Sequence, residues 1–169
     1  MGAASKRKGS SFERDLCTKL SLWISKGEHP DLLWRSAISG GRGTARQAKH
    51  GAQRVSGDIC SVGQGGHILT DHYHIEAKHV KNMGLTAFAL KGSGFLAVEW
   101  KRCVRQADSH MKLPMMIVRQ NLMPTVVVLG EYFEAWPGPV LTVPKFGCSL
   151  VLLNDMLALQ YTIPRRSLR

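Results

Sequence analysis

Apolar residues recur every three or four positions in two parts of the chain, which is the spacing of a helix with one buried face. The first series lies between residues 16 and 24 and predicts a helix over residues 10–25. The second lies between residues 97 and 111 and predicts a helix that ends near Pro114. The apolar run over residues 150–159 predicts a short third helix.

Strands are predicted between these helices. Residues 58–62 are typical of one strand, Gln64-Gly65-Gly66 of a turn, and residues 67–79 of a second strand that pairs with the first as a hairpin. Two more strands, each preceded by a proline, are predicted over residues 115–119 and 125–133. This order of elements predicts an α/β fold, with a mixed sheet flanked by helices on both faces.

The length favours a single domain over residues 1–169. Within it we expect a short basic tail over about residues 1–9 and a mobile basic loop over about residues 40–57, where glycine and cationic residues are frequent. Hydrophobic residues make up 44% of the chain and charged residues 21%, a composition that can fill one core. A disordered or multidomain protein is therefore not expected.

The charge of the chain is strongly positive and uneven. Lys and Arg number 23 against 12 Asp and Glu, a formal net charge of +11, and the first 57 residues carry 11 of the cations and 4 of the acids. This distribution is typical of proteins that neutralise the phosphates of a nucleic acid. An anionic membrane surface would also attract it, but nucleic acid is the favoured partner.

Membrane insertion and export are not expected. The longest apolar runs fall far short of the roughly 20 residues of a membrane helix, and the basic start of the chain lacks the apolar core of a secretory signal. The four cysteines form no Cys-x-x-Cys pair and are expected to be reduced. We therefore expect a cytoplasmic protein.

One constellation of residues indicates hydrolytic chemistry. Glu76 follows Asp58 by 18 positions, and Lys78 lies two positions further on. Because side chains alternate across a strand, Glu76 and Lys78 project from one face of it. If Asp58 reaches the same edge, two carboxylates can hold a hard cation such as Mg²⁺. Such a cation next to a lysine is suited to phosphodiester hydrolysis.

Each of these features also has a structural interpretation. A Glu-x-Lys triplet is common on the solvent face of a strand, so only its combination with Asp58, Glu13 and the basic chain indicates an active site. Ser10 and Glu13 also fit a capping box at the start of a helix, and this alternative stays open. His72 and His74 share one predicted strand face but lack the spacing of a zinc site, so we leave the histidines out.

Four short motifs follow one another along the chain: Lys8 to Leu16, Arg35-Ser36-Ala37-Ile38-Ser39-Gly40, Gly57-Asp58-Ile59 and Ile75-Glu76-Ala77-Lys78. In this order they resemble the archaeal and phage Holliday junction resolvases of the PD-(D/E)xK nuclease superfamily. Trp100, the Gln106-Ala107 pair and a proline-led strand ending at Arg119 match the phage branch. The similarity spans about residues 6–133 and implies a restriction-endonuclease-like fold.

The resemblance implies a role for four residues. Asp58 and Glu76 would be metal ligands, Lys78 the catalytic lysine, and Glu13 an additional acid that completes the metal site from the first helix. Mg²⁺ would be the cofactor, with Mn²⁺ as a substitute. The predicted DNA-binding residues are Arg35, Ser39, Gln106 and Arg119 from the resemblance, and Arg42, Arg46, Lys49 and Arg54 from the charge of the loop.

The chain departs from the superfamily pattern in two places. Gly57 stands where many members have proline, and the spacing from Asp58 to Glu76 is longer than in the compact archaeal enzymes. Neither departure removes a predicted ligand.

We predict a metal-dependent, structure-selective DNA endonuclease, specifically a Holliday junction resolvase that nicks four-way junctions symmetrically as a homodimer. A two-fold protein presents two active sites to a two-fold substrate. One alternative is a general nickase or restriction-like nuclease with no junction preference. The other is a non-catalytic, basic DNA-binding protein. The resemblance implies that a phage or an archaeon encodes the chain.

Overall fold

Helices and strands both contribute to the computed structural model, which describes residues 3–36, 56–62, 64–130 and 138–161. A π-helical turn precedes α3, and a 3₁₀ turn separates β6 from β7. In chain order the elements are α1 (Ala3–Ile24), β1 (Leu33–Arg35), β2 (Ile59–Ser61), α2 (Gln64–Thr70), β3 (Tyr73–Val80), α3 (Phe95–Ser109), β4 (Leu113–Gln120), β5 (Val126–Leu129), β6 (Leu141–Val143), β7 (Cys148–Leu152) and α4 (Leu153–Ala158).

The central sheet has five strands in the order β3-β4-β5-β7-β6. Strands β3 and β4 are parallel, and the other neighbouring pairs are antiparallel. A separate antiparallel pair, β1 and β2, lies outside this sheet. The predicted mixed sheet is therefore confirmed.

Helices cover both faces of the sheet because apolar side chains alternate along its buried strands. In β4, Ile117 belongs to the same core as Leu16 of α1. Its neighbour Val118 belongs to a second core with Trp100 of α3. The predicted α/β class, with a restriction-endonuclease-like sheet between helices, is confirmed.

The first helix begins at Ala3, earlier than the predicted start at residue 10. Alanine, lysine and arginine dominate the residues before Gly9, and all three favour helices. Residues 3–9 are therefore helical, where we expected a tail. No helix in the described part of the chain is both long and apolar enough to cross a bilayer.

The predicted hairpin over residues 58–79 is wrong, because residues 64–70 form α2. Gly65 and Gly66 do not form a turn. They allow the helix to pack closely against neighbouring residues. A Cβ on Gly66 would lie 2.9 Å from the Cβ of Ser61 and would clash with the carbonyl oxygen of Leu32. Glycine therefore lets α2 pack directly on the β1–β2 pair. Strand β3 does not form a hairpin with β2, but pairs in parallel with β4.

The predicted third helix over residues 150–159 is also partly wrong. Residues 148–152 form β7, and only Leu153–Ala158 is helical. A short apolar run that is buried on both faces does not reveal its period, so the strand could not be separated from the helix that follows.

Leu122, in the turn between β4 and β5, has an unfavourable backbone conformation, and a substitution can test its cost. It has a left-handed φ of +62° and a fully exposed side chain. This conformation costs an L-residue about 1–2 kcal/mol, and asparagine tolerates it better. We expect Leu122→Asn to raise the free energy of unfolding by about 1 kcal/mol, or the melting temperature by about 2–4 °C.

Leu122→Ala is the matched control, because it removes the exposed side chain but keeps the Cβ that makes the conformation costly. Thermal unfolding of both variants decides the point. Equal stability of the two variants would contradict the strain described for Leu122.

Candidate active site

Strand β3 places Glu76 and Lys78 on one face of the sheet, as the alternation predicts. The intervening residues Ile75 and Ala77 are buried in the core that faces α1. The register partners of Glu76 and Lys78 in β4, Met116 and Val118, belong to the core that faces α3. Glu76 and Lys78 therefore lie on the α3 side.

Asp58 reaches β3 through backbone contacts at the start of β2. Its amide N–H donates to the Ile75 carbonyl over 2.8 Å, and its Oδ2 accepts a 2.9 Å hydrogen bond from the Ala77 N–H. Gly57 forms an isolated parallel bridge with Ile75. These contacts hold the Asp58 carboxylate against β3, although the two segments do not form a hairpin.

The Lys78 ammonium lies between the two acids. Its Nζ is 2.7 Å from Oε2 of Glu76 and 3.8 Å from Oδ2 of Asp58. Burial alone would lower the pKa of Lys78, but the charges of Glu76 and Asp58 outweigh it and raise this pKa above its ordinary value. Lys78 is therefore protonated and positively charged, and its ammonium contacts both carboxylates.

Both acids are buried, with 9% of Asp58 and 5% of Glu76 exposed. Burial, followed by the charge of Glu76, raises the pKa of Asp58 to about 6. Burial also acts to raise the pKa of Glu76, but the close contact with His74 and the charge of Lys78 lower it well below its usual range. The repulsion between the two carboxylates is the kind of strain that a bound cation relieves.

Helix α3 adds charged groups that the sequence analysis did not identify. Oε2 of Glu99 is 3.8 Å from Nζ of Lys78. Arg102 lies between Glu76 and Glu99. One of its guanidinium nitrogens is 3.7 Å from Glu76, and another is 3.7 Å from Glu99. Gln106, a predicted site residue, lies one helical turn after Arg102. The spacing of 99, 102 and 106 on a single helix face was the available signal.

His74, two residues before Glu76 on β3, also contacts the carboxylate of Glu76, which the sequence analysis did not predict. Its Nε2 is 3.4 Å from Oε1 of Glu76, and only 2% of the residue is exposed. The predicted pairing of His72 with His74 on one strand face is wrong, since β3 begins at Tyr73. The imidazole of His74 stacks on that of His110, with ring centroids 6.2 Å apart.

Glu13 lies beside Arg35 and not against the carboxylate pair. Its Oε2 accepts a 3.0 Å hydrogen bond from Nε of Arg35, and Nη1 of Arg35 donates to the Ser10 hydroxyl over 2.9 Å. Ser10 is inside α1, so the capping-box alternative for Glu13 is wrong. Glu13 does act on the site through its charge, which adds to the raised pKa of Asp58.

Arg119 lies on the face of the sheet opposite to Lys78. It is 3.8 Å from Asp15 of α1, and its guanidinium lies over the ring of Phe12. The structure therefore does not bring Arg119 to the two carboxylates. The remaining predicted DNA-binding residues lie outside the described part of the chain: Ser39, Arg42, Arg46, Lys49 and Arg54.

The donor chemistry of Asp58 and Glu76 fits a hard divalent cation. Carboxylate oxygens are ligands of Mg²⁺, which is commonly held by one or two carboxylates, with substrate phosphate and water in its other positions. Within the ranges that the structure describes, no three acidic, histidine or cysteine side chains form a metal-holding group. Asp58 and Glu76 together offer two carboxylates to such a cation.

This arrangement of Asp, Glu and Lys has a counterpart in a known family. A family model described as "phage putative PDDEXK endonuclease" matches residues 4–141. The chain belongs to this family. The matched part of this PDDEXK endonuclease includes Glu13, Arg35 and Gln106, as well as the carboxylate pair and the ionisable residues in contact with it or with Lys78: Asp58, His74, Glu76, Lys78, Glu99 and Arg102. No curated protein and no solved structure matches the chain.

Proposed function

We propose that this PDDEXK endonuclease hydrolyses DNA with Mg²⁺ held by Asp58 and Glu76. The observation that carries the proposal is the convergence of two buried carboxylates on the ammonium of Lys78. DNA as the substrate is supported by the family and by the net charge of +11. Mn²⁺ is proposed as a substitute, because it also accepts carboxylate and water ligands.

The cation, Lys78 and His74 would have different roles in hydrolysis. The bound cation would polarise a phosphate oxygen and lower the pKa of a water molecule. Lys78 carries a positive charge at the place where negative charge grows on the phosphate, and stabilises it there. His74 contacts the Glu76 oxygen that faces away from Lys78 and so fixes the carboxylate plane. In the reaction, the water oxygen bonds to phosphorus and one phosphate ester bond breaks.

Glu13 is proposed to support the metal site from α1. Its contact with Arg35 leaves its charge close enough to raise the pKa of Asp58. A cation between these acids would reduce that repulsion. The metal-ligand role predicted for Glu13 rests on the resemblance to the resolvases.

The proposed substrate is a four-way DNA junction, cut by a homodimer. The support is the order of the motifs shared with the resolvases and the symmetry of the reaction, since two nicks related by a two-fold axis need two active sites. A labelled synthetic junction and a linear duplex of the same arms, each incubated with Mg²⁺ or with EDTA, form the test. Paired symmetric nicks in the junction alone, absent in EDTA, are expected.

The same assay distinguishes the alternatives. Equal cutting of the junction and the duplex would indicate a nuclease without junction preference. Tight binding with no cutting in Mg²⁺ or Mn²⁺ would indicate a DNA-binding protein without catalysis, and would contradict the proposal.

DNA affinity should depend on the basic loop predicted around Arg42 and Arg46. Replacing both arginines with alanine should weaken DNA binding and reduce the slope of log affinity against log salt by about 2, because each phosphate contact contributes roughly 0.9. Fluorescence anisotropy over a salt series measures the slope. A slope equal to that of the wild type would exclude these two arginines from the interface.

A further inference from the structure

Glu99 of α3 is the third acid beside Lys78. Its side chain is only 17% exposed, and its Oε2 is 3.8 Å from Nζ of Lys78 and 3.7 Å from a guanidinium nitrogen of Arg102. It lies on a different element from Asp58 and Glu76. The contacts of its carboxylate in the described cluster are both with cationic side chains, Lys78 and Arg102.

The balance of charge shows why Lys78 needs such a partner. Asp58, Glu76 and Glu99 carry three negative charges, and Lys78 and Arg102 carry two positive ones. A divalent cation on Asp58 and Glu76 changes the total from −1 to +1. A cation held by these two acids would compete with Lys78 for their charge, and it would repel the ammonium.

Glu99 remains beside Lys78 after this exchange. Under the proposed function the cation would be held by Asp58 and Glu76, whereas Glu99 lies on α3, separate from β3, and contacts Lys78. Its second cation, Arg102, is 48% exposed and can turn towards solvent or DNA. The ammonium of Lys78 would otherwise be free to move away from the metal.

We propose that Glu99 is a positioning residue, which holds the ammonium of Lys78 beside the scissile phosphate when a divalent cation occupies Asp58 and Glu76. This inference rests on the proposed function. It assigns to α3 a role that acts through Lys78, and it requires no contact between Glu99 and the metal or the DNA.

Glu99→Gln tests the proposal, because it keeps the size of the side chain and removes its charge. Single-turnover cleavage at saturating Mg²⁺ should fall about 10- to 100-fold, the range found for groups that orient an active-site residue. The affinity for DNA should stay the same. Titration with Mg²⁺ in the absence of DNA should still show saturable binding, and Glu99→Asp should restore part of the lost rate.

Asp108→Asn is the matched control, since it removes the same charge from an exposed position of the same helix. It should cleave DNA at the wild-type rate. In a Lys78→Met background, Glu99→Gln should cause no further loss of cleavage, because its effect passes through the absent ammonium.

The outcomes separate this inference from the proposed function. If the wild type cleaves DNA with Mg²⁺ but Glu99→Gln is as active as Asp108→Asn, the inference is wrong and the function stands. If Glu99→Gln abolishes Mg²⁺ binding, Glu99 is a metal ligand and the positioning role is wrong. If the wild type cleaves no DNA in any divalent metal, the function itself fails and the inference fails with it.

Discussion

Replacing Lys78 with methionine is expected to lower the rate of DNA cleavage by about 10²- to 10³-fold, the loss typical of one group that stabilises transition-state charge. Methionine keeps the length of the side chain but has no ammonium 2.7 Å from Glu76 and 3.8 Å from Asp58. The affinity for Mg²⁺ should stay the same or increase, because Lys78 competes with the metal for both carboxylates. Cleavage kinetics and calorimetric titration with Mg²⁺ measure the two effects.

Lys81→Met is the control for charge, because Lys81 is an exposed lysine directly after β3. It should retain full activity. A Lys78→Met protein that binds Mg²⁺ and cleaves DNA at the wild-type rate would show that the lysine has no part in catalysis.

Gly57→Ala is expected to destabilise the fold by about 2–3 kcal/mol, a cost typical of a strained backbone site, and to lower cleavage as well. Gly57 has a φ of +88°, and a Cβ there would lie 2.9 Å from the Ile75 nitrogen and would clash with the Ile75 carbonyl oxygen. The shift needed to relieve this clash would separate Asp58 from its hydrogen bonds to β3. Urea unfolding and cleavage kinetics measure both losses.

Gly84→Ala separates the two causes. Gly84 also has a positive φ, of +66°, but a Cβ there would meet no atom within 4 Å. It should cost less stability than Gly57→Ala and leave cleavage unchanged. Equal effects of the two substitutions would show that the approach of Gly57 to Ile75 does not matter for Asp58.

Gly57 also explains a departure from the superfamily pattern. Many members have proline before the aspartate, but a proline ring fixes φ near −65°. The positive φ of Gly57 is incompatible with that ring. The different residue reflects a different backbone path into Asp58, and the carboxylate still reaches β3.

Local patterns predicted the parts of this fold in which polar and apolar residues follow a clear period. The alternation in β3 correctly placed Glu76 and Lys78 together, and the apolar spacing correctly predicted α3. Two glycines, Gly65 and Gly66, misled the prediction of α2, because close packing on Leu32 and a tight turn select the same residue. The parallel pairing of β3 with β4 depends on contacts between distant segments, which local patterns do not encode.

The sequence predicted the candidate site residues on β3 and just before β2 better than those on α3. Asp58, Glu76 and Lys78 belong to short motifs, so the sequence could predict that these three side chains come together. Glu99 and Arg102 reach the site through the packing of α3 on the sheet. Their helical spacing with Gln106 was a local signal, but the same spacing is common on the charged face of any amphipathic helix. Only Gln106, which matches a family position, pointed to that face.

The most direct test of the central claim is the cleavage of closed-circular DNA by wild type and Glu76→Gln, with Mg²⁺ or with EDTA. The substitution keeps the shape of a buried residue but removes one of the two proposed metal ligands. We expect cutting by the wild type in Mg²⁺ alone, and a loss of at least about 10³-fold in the variant, equivalent to about 4 kcal/mol of transition-state stabilisation. Cutting by the wild type in EDTA, or undiminished cutting by Glu76→Gln, would contradict the metal-dependent mechanism.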